Sequence, residues 1–243
     1  MVLVLLFVLG LIFGSFLSAL TWRYPRGISV KKGRSICPRC KKQIAWYDNI
    51  PLLSYIFLLG RCRKCRKPIS WRYPLIEFST ALGFVAIVNT QGLSLQAIYI
   101  IIIFLILEGI FIIDLEHQII PDSFVFAGLV FALLLAPGSL FDSLFAGFFA
   151  ATLLVFIHLF TKGRGMGLGD VKFAVLGGIL VGSKLLPVWF FMAFLTGAII
   201  GIILILGRHA RLKSQIAFGP FLVAAIPLAL LYGEKILFWL HLN

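Results

Sequence analysis

Two stretches place an aspartate at the mouth of an apolar helix: Phe111–Asp122 (FIIDLEHQIIPD) and Gly165–Lys172 (GMGLGDVK). Carboxylates are costly in hydrocarbon and tend to be kept there for function. The chain holds only nine Asp and Glu in 243 residues, so their placement is informative. Two carboxylates within hydrogen-bonding distance cannot both ionise cheaply and so share one proton. The ionised member takes a proton from water as it attacks a peptide carbonyl. The neutral member donates a hydrogen bond to the developing oxyanion and later helps protonate the leaving amine. Asp114 and Asp170 are the candidates for this pair. Asp170 could also cap its helix, but the alternating Gly165, Gly167 and Gly169 ahead of it permit unusual dihedrals and close backbone approach beyond what a cap needs. Asp122 reads first as an N-cap of the following helix. Neither HExxH, GxSxG nor a Cys/His signature competes, and the four histidines are scattered. His158, inside an apolar run, reads as an interhelical hydrogen-bonding group.

A second pattern is Cys37-Pro38-Arg39-Cys40 and Cys62-Arg63-Lys64-Cys65, with 21 residues between the pairs and no further cysteine in the chain. Two such pairs at this separation are the pattern of a closed, structural four-thiolate zinc site. A reducing cytoplasmic location argues against disulfides.

The elements that must position these groups follow from composition. The chain is 61% hydrophobic and 13% charged, with a mean hydropathy of +1.06. Its apolar runs near 2–21, 74–90, 96–113, 124–138, 142–161, 171–184, 186–207 and 216–238 predict about eight transmembrane helices, the fourth and sixth of them short. The expected class is an all-α polytopic membrane protein with three regions. These are a first transmembrane helix (1–21), a basic cytoplasmic loop (22–73) carrying the tetracysteine site between the first two spans, and a helix bundle (74–243). Met1–Leu20 has no basic residue ahead of its apolar stretch, and Arg23 and Arg26 follow it, which suits a retained anchor with its N-terminus outside.

A net charge of +13 would suggest nucleic acid in a soluble chain. With 22–73 in the cytoplasm and spans alternating, however, 20 of the 22 Lys and Arg fall on the cytoplasmic side. The charge is therefore read as topology and attraction to anionic membrane lipid, not nucleic-acid binding. The same map puts Asp114 and Asp170 at cytoplasmic helix ends.

These motifs together resemble the type IV prepilin peptidases, membrane aspartic proteases of the GxGD class. The resemblance runs from Gly14-Ser15-Phe16-Leu17 through Arg23-Tyr24-Pro25, the tetracysteine loop and Arg72-Tyr73-Pro74-Leu75-Ile76-Glu77. It continues with Ile113-Asp114, Pro121-Asp122 and Gly165–Lys172 to Phe218-Gly219-Pro220-Phe221. Ser18 stands where the family often has Asn, and Ala217 where it often has Pro. The resemblance implies removal of the basic leader from prepilins and pseudopilins at the cytoplasmic face of the bacterial inner membrane. In many members it also implies N-methylation of the new N-terminus with S-adenosylmethionine. Carried over by motif, Asp114 and Asp170 are catalytic, and Asp122, Gly165, Gly167, Gly169 and Lys172 support them. Glu77 either belongs to the methyl-transfer site or pairs with a loop arginine, and Glu108 is either functional or bonded to a neighbouring helix. Two other classes remain open at this point: a zinc-loop adaptor without catalysis, and a proton-coupled transporter.

Overall fold

The computed structural model describes residues 1–29, 35–135, 139–207 and 216–239. Lys31, Lys32, Arg34, Arg208, Arg211 and Lys213 of the charge map lie outside the described residues, as do His209, His241 and the end of the fourth expected span. Among the described residues there are eight α-helices and no strand: α1 (Val2–Arg23), α2 (Leu53–Phe57), α3 (Arg72–Gln91), α4 (Leu95–His117), α5 (Asp122–Leu134), α6 (Leu140–Phe160), α7 (Leu168–Leu206) and α8 (Gly219–Trp239). Six of these are long and apolar enough to cross a membrane, and α5 is a shorter apolar helix. The chain divides into two compact units, Met1–Leu105 and Ile106–Asn243.

In the first unit α1 packs on α3 through small residues, which let backbones approach where no hydrophobic drive exists between helices in lipid. A Cβ on Gly10 would meet Ala81 Cα at 2.5 Å, and one on Gly14 would meet Glu77 Cα at 2.7 Å. At the loop end, the Arg72 guanidinium crosses to α1, donating to Ser18 O (2.8 Å) and Thr21 Oγ1 (2.6 Å).

In the second unit the 39 residues of α7 would form a rod of about 59 Å if straight, twice the roughly 30 Å hydrocarbon core. The helix instead breaks at Gly182, whose φ of 74° and ψ of 169° are not helical. A Cβ on Gly177 would strike the Trp189 ring, twelve residues on. In a straight helix those positions are about 18 Å apart, so residues 183–206 fold back along 168–181. The reversal is held from α6: the Asp142 carboxylate accepts from the Ser183 hydroxyl and from its backbone N–H at 3.3 Å. This supplies the cap the second segment lacks in its own sequence. The two spans expected at 171–184 and 186–207 are thus the two arms of one helical hairpin. The returning arm runs antiparallel to α8, with Leu185 against Gly233, Trp189 Nε1 donating to Leu222 O at 2.9 Å, and Phe194 against Phe218. The end of α4, the starts of α5 and α8, the end of α6 and the start of α7 therefore meet at one end of this unit.

Candidate active site

Asp114 lies on the last turns of α4 and Asp170 on the first turn of α7. Both side chains are buried, and they are close enough to interact electrostatically. Asp170 is the third residue of its helix, and the Gly167 backbone N–H donates to its Oδ2 at 3.0 Å. This is the reciprocal half of a capping box, and the negative group also suits the helix N-terminus. The Gly219 backbone N–H at the start of α8 is directed to the Asp114 carboxylate, while Asp114 Oδ2 is buried and accepts no hydrogen bond from the described residues.

The glycines act through space and not through unusual dihedrals. None of Gly165, Gly167 and Gly169 has a positive φ, which corrects the expectation from their alternation; the left-handed residues of this loop are Lys162 (φ 52°) and Gly163 (φ 75°). A Cβ on Gly167 would come within 3.3 Å of Asp170 Oδ2, and one on Gly169 within 3.2 Å of Ile120 Cβ. Ile120 also reaches Gly219, where a Cβ would lie 3.0 Å from its Cδ1. It is thus a buried wedge between the glycine loop and α8, next to Asp114. The loop is tied back to α6: the His158 Nδ1 ring nitrogen and Met166 O are 2.7 Å apart, and the Gly165 N–H donates to Thr161 Oγ1 at 3.1 Å. His158 was expected to bond to a neighbouring helix; its Nδ1 instead meets the loop that leads to Asp170.

Depth follows from the packing of α7 on α6. Gly178 abuts the backbone of Ala146 and Gly147. Eight residues back, Asp170 is level with residues 154–155 of α6, about 8 Å short of the end of that helix at 1.5 Å per residue. Asp170 is recessed below the end of α6.

Asp122 is not a cap. Pro121 occupies the N-cap position and no side chain caps α5. The Asp122 carboxylate instead accepts from Lys172 Nζ at 2.8 and 3.1 Å. Both partners are more than half exposed, so this pair orients more than it stabilises. Glu108 is half-buried and engaged by neighbouring groups.

In the first unit Glu77 is buried and accepts from the Leu52 N–H at 2.9 Å, with the Ser15 hydroxyl also in reach. Among the described residues no arginine pairs with it. The four cysteines converge, with all four Sγ atoms within 4.8 Å of one another. Cys37 and Cys65 are 3.9 Å apart at sulfur, close to the roughly 3.8 Å between ligands of a tetrahedral ion with metal–sulfur bonds near 2.3 Å. The two halves repeat one turn: the Lys41 N–H donates to Cys37 O and the Arg66 N–H to Cys62 O, each at 2.8 Å. Lys41 and Arg66 are both left-handed. Arg63 links the second turn to the loop by a bidentate contact with Asp48 (2.7–3.0 Å). The Lys67 N–H favours the Cys65 thiolate, but desolvation and the neighbouring thiols of Cys62, Cys40 and Cys37 outweigh it and push that thiol up to about 11. A dication among the sulfurs removes this mutual penalty, so the donor set fits a metal site.

Fold and site together define a polytopic helical membrane protein with a buried aspartate pair and a separate four-thiol loop. Residues 8–90 match the bacterial peptidase A24 N-terminal domain, and residues 98–202 match the type IV leader peptidase family. The chain belongs to the type IV leader peptidase family, and it is a polytopic protein of the bacterial inner membrane. It is 38% identical over 218 residues to a prepilin leader peptidase/N-methyltransferase of Aeromonas hydrophila, covering 86% of this chain and 75% of that protein. Proteins of the same description from Pseudomonas aeruginosa (34% over 261 positions, 94% and 89% covered) and Bacillus subtilis (33% over 240, 96% and 95% covered) extend the match to nearly the whole chain. No solved structure matches.

Sequence reasoning did not single out Gly219 or Ile120 as site residues. Gly219 had a signal in the Phe-Gly-Pro-Phe motif. Ile120 had none beyond standing two residues before Asp122.

Proposed function

We infer that this chain cleaves the basic leader from prepilins and pseudopilins and N-methylates the new N-terminus. The observation that carries the peptidase reading is the buried Asp114–Asp170 pair, with one Asp114 oxygen lacking a hydrogen-bond partner among the described residues. That oxygen is where a catalytic water or the substrate carbonyl would be met. The Gly167 N–H fixes the other carboxylate. The pair lies at the cytoplasmic ends of its helices, as the distribution of Lys and Arg supports. The recess of about 8 Å suits a substrate whose scissile bond joins a polar leader to a membrane-embedded helix. Asp122 and Lys172 orient α5 against α7 at the mouth of the site. The glycine loop and Ile120 set the space in which the substrate backbone approaches Asp170.

In this reading residues 22–73 form a structural zinc loop, with Cys37, Cys40, Cys62 and Cys65 as its four ligands. Four thiolates leave no open position, so the ion folds the loop and takes no part in hydrolysis. The methyl donor is S-adenosylmethionine. Glu77, a buried carboxylate that accepts from the Leu52 N–H, is the candidate to receive the positively charged amine or sulfonium.

The deciding assay combines the purified chain in detergent or lipid with a prepilin, reading the size shift for cleavage and the mass of the new N-terminus for methylation. Failure of the shift with active-site residues intact would favour a non-catalytic adaptor.

Two effects are expected in the same assay. Gly169→Val, whose Cβ would press on Ile120 at 3.2 Å, should lower cleavage by about tenfold to a hundredfold with insertion unchanged; unaltered cleavage would refute the role of the loop. Prolonged chelation should release one zinc per chain and unfold the 35–70 region, seen as new protease sites there. Release should be faster at lower pH, because protons compete for the thiolates.

A further inference from the structure

α2 and the turn after it present apolar side chains that none of the described residues of the first unit covers: Ile56 is 63% exposed, Phe57 80% and Leu59 85%. The opposite face of α2 is held. The Ser54 hydroxyl donates to Tyr47 O at 2.9 Å, and the Tyr55 ring lies 5.2 Å from that of Trp71. The Leu52 N–H that opens the segment bonds to Glu77. This bond sets the height of α2. Glu77 is the sixth residue of α3, about 7–8 Å down the helix from Arg72 at 1.5 Å per residue. α2 is therefore level with the first turns of a membrane-spanning helix and not above them. The chain then turns through two left-handed residues, Leu59 (φ 50°) and Gly60 (φ 65°), which hold the Leu59 side chain outward. Arg61, Lys64, Arg66 and Lys67 follow, all exposed, and Trp71 is an exposed aromatic at the same level.

We propose that the segment Leu53–Leu59 is an interfacial element that lies in the headgroup layer of the leaflet crossed by α1 and α3. Ile56, Phe57 and Leu59 enter the acyl boundary, and the following cations meet anionic headgroups. Apolar residues at headgroup depth beside Trp and Lys or Arg are the pattern of an interfacial anchor. Charge complementarity also favours this partner, because the cytoplasmic leaflet is anionic. The surface is convex. A substrate helix needs a groove for its apolar face, whereas a bilayer deforms around protruding side chains. Anchored in this way, the metal loop is fixed at three places: α1, α3 and the lipid surface.

The test uses the full chain in nanodiscs containing phosphatidylglycerol, with a photo-crosslinking p-benzoylphenylalanine in place of Phe57 or, separately, Leu59. Phe156 in α6 is the lipid-facing control and Lys41 the aqueous one. Mass spectrometry is expected to find phospholipid adducts at 57 and 59 as at 156, and none at 41, whether or not prepilin is added. Changing Arg61, Lys64, Arg66 and Lys67 to Gln should lower the yield at 57 and 59 by about fivefold or more in anionic discs and leave it unchanged in phosphatidylcholine discs. Absence of lipid adducts at both 57 and 59 while 156 reacts would overturn the proposal. Adducts with prepilin in preference to lipid would also overturn it and assign the surface to the substrate. An unchanged yield in the Gln variant would remove the headgroup contact.

Discussion

Asp170→Asn, and separately Asp114→Asn, is expected to lower leader cleavage by about a thousandfold or more, near the upper range for loss of general acid–base catalysis. The substitution is nearly isosteric and its amide oxygen still accepts the Gly167 N–H, which meets Asp170 Oδ2 at 3.0 Å. The start of α7 is therefore expected to remain folded. The variants should be at least as stable as the parent. Each removes a buried carboxylate that interacts with the other, and an amide costs less to bury than a charge. Active sites are commonly places where stability is given up for function. The measurement pairs a prepilin size-shift assay with thermal unfolding in detergent. Lost cleavage with an equal or higher melting temperature is the signature of a catalytic pair. Retained cleavage in both variants would end the aspartate mechanism, and lost cleavage with a lower melting temperature would make the carboxylates structural. Methylation of a pre-cleaved prepilin by either variant should be unaffected, since Glu77 and the cysteines belong to the other unit.

The second large effect is expected at Gly219, which has no acid, base or metal-binding group. A Cβ there would lie 2.5 Å from Asp114 Oδ2, 3.0 Å from Asp114 Cγ and 3.0 Å from Ile120 Cδ1. Real Cβ atoms do not approach so closely, and the carboxylate has little room to retreat. Gly219→Val must push either Asp114 or the first turn of α8, and a displacement of about 1 Å in a catalytic group is enough for a hundredfold loss. Gly197→Ala serves as the control. Its Cβ meets only the edges of Phe218 and Phe221 at 3.3 Å, so cleavage should fall by less than about threefold, in line with small overpacking costs. Equal activity of the two variants would mean that the backbone of Gly219 does not set the position of Asp114.

Much of the molecule was legible in the chain because the signals are local. Apolar runs of span length, a cysteine spacing suited to one ion and acids scarce enough to stand out depend only on residues near one another in sequence. The expected short fourth and sixth spans correspond to α5, of 13 residues, and to the first arm of the α7 hairpin. Asp122 was misread for a local reason: an acid before an apolar run looks like a cap, but Pro121 takes that position, and Lys172, fifty residues away, takes the carboxylate. At Gly167 and Gly169 an added Cβ would meet the Asp170 carboxylate and Ile120. The dihedral argument failed because neighbours met only in the fold, Ile120 and the Asp170 carboxylate, are what exclude a side chain.

By itself the sequence determined the class of the chain, the four cysteines that converge and the two carboxylates that are buried, because burial cost and ligand chemistry are properties of residue types. Tertiary structure alone decided that α7 reverses at Gly182 under the Asp142 carboxylate, that α8 begins against Asp114, and that Ile120 fills the space between them. These are choices of packing between segments 41 residues apart (Asp142 and Ser183) or further along the chain. They are settled by which backbones can touch, and no periodicity or spacing along the chain records that.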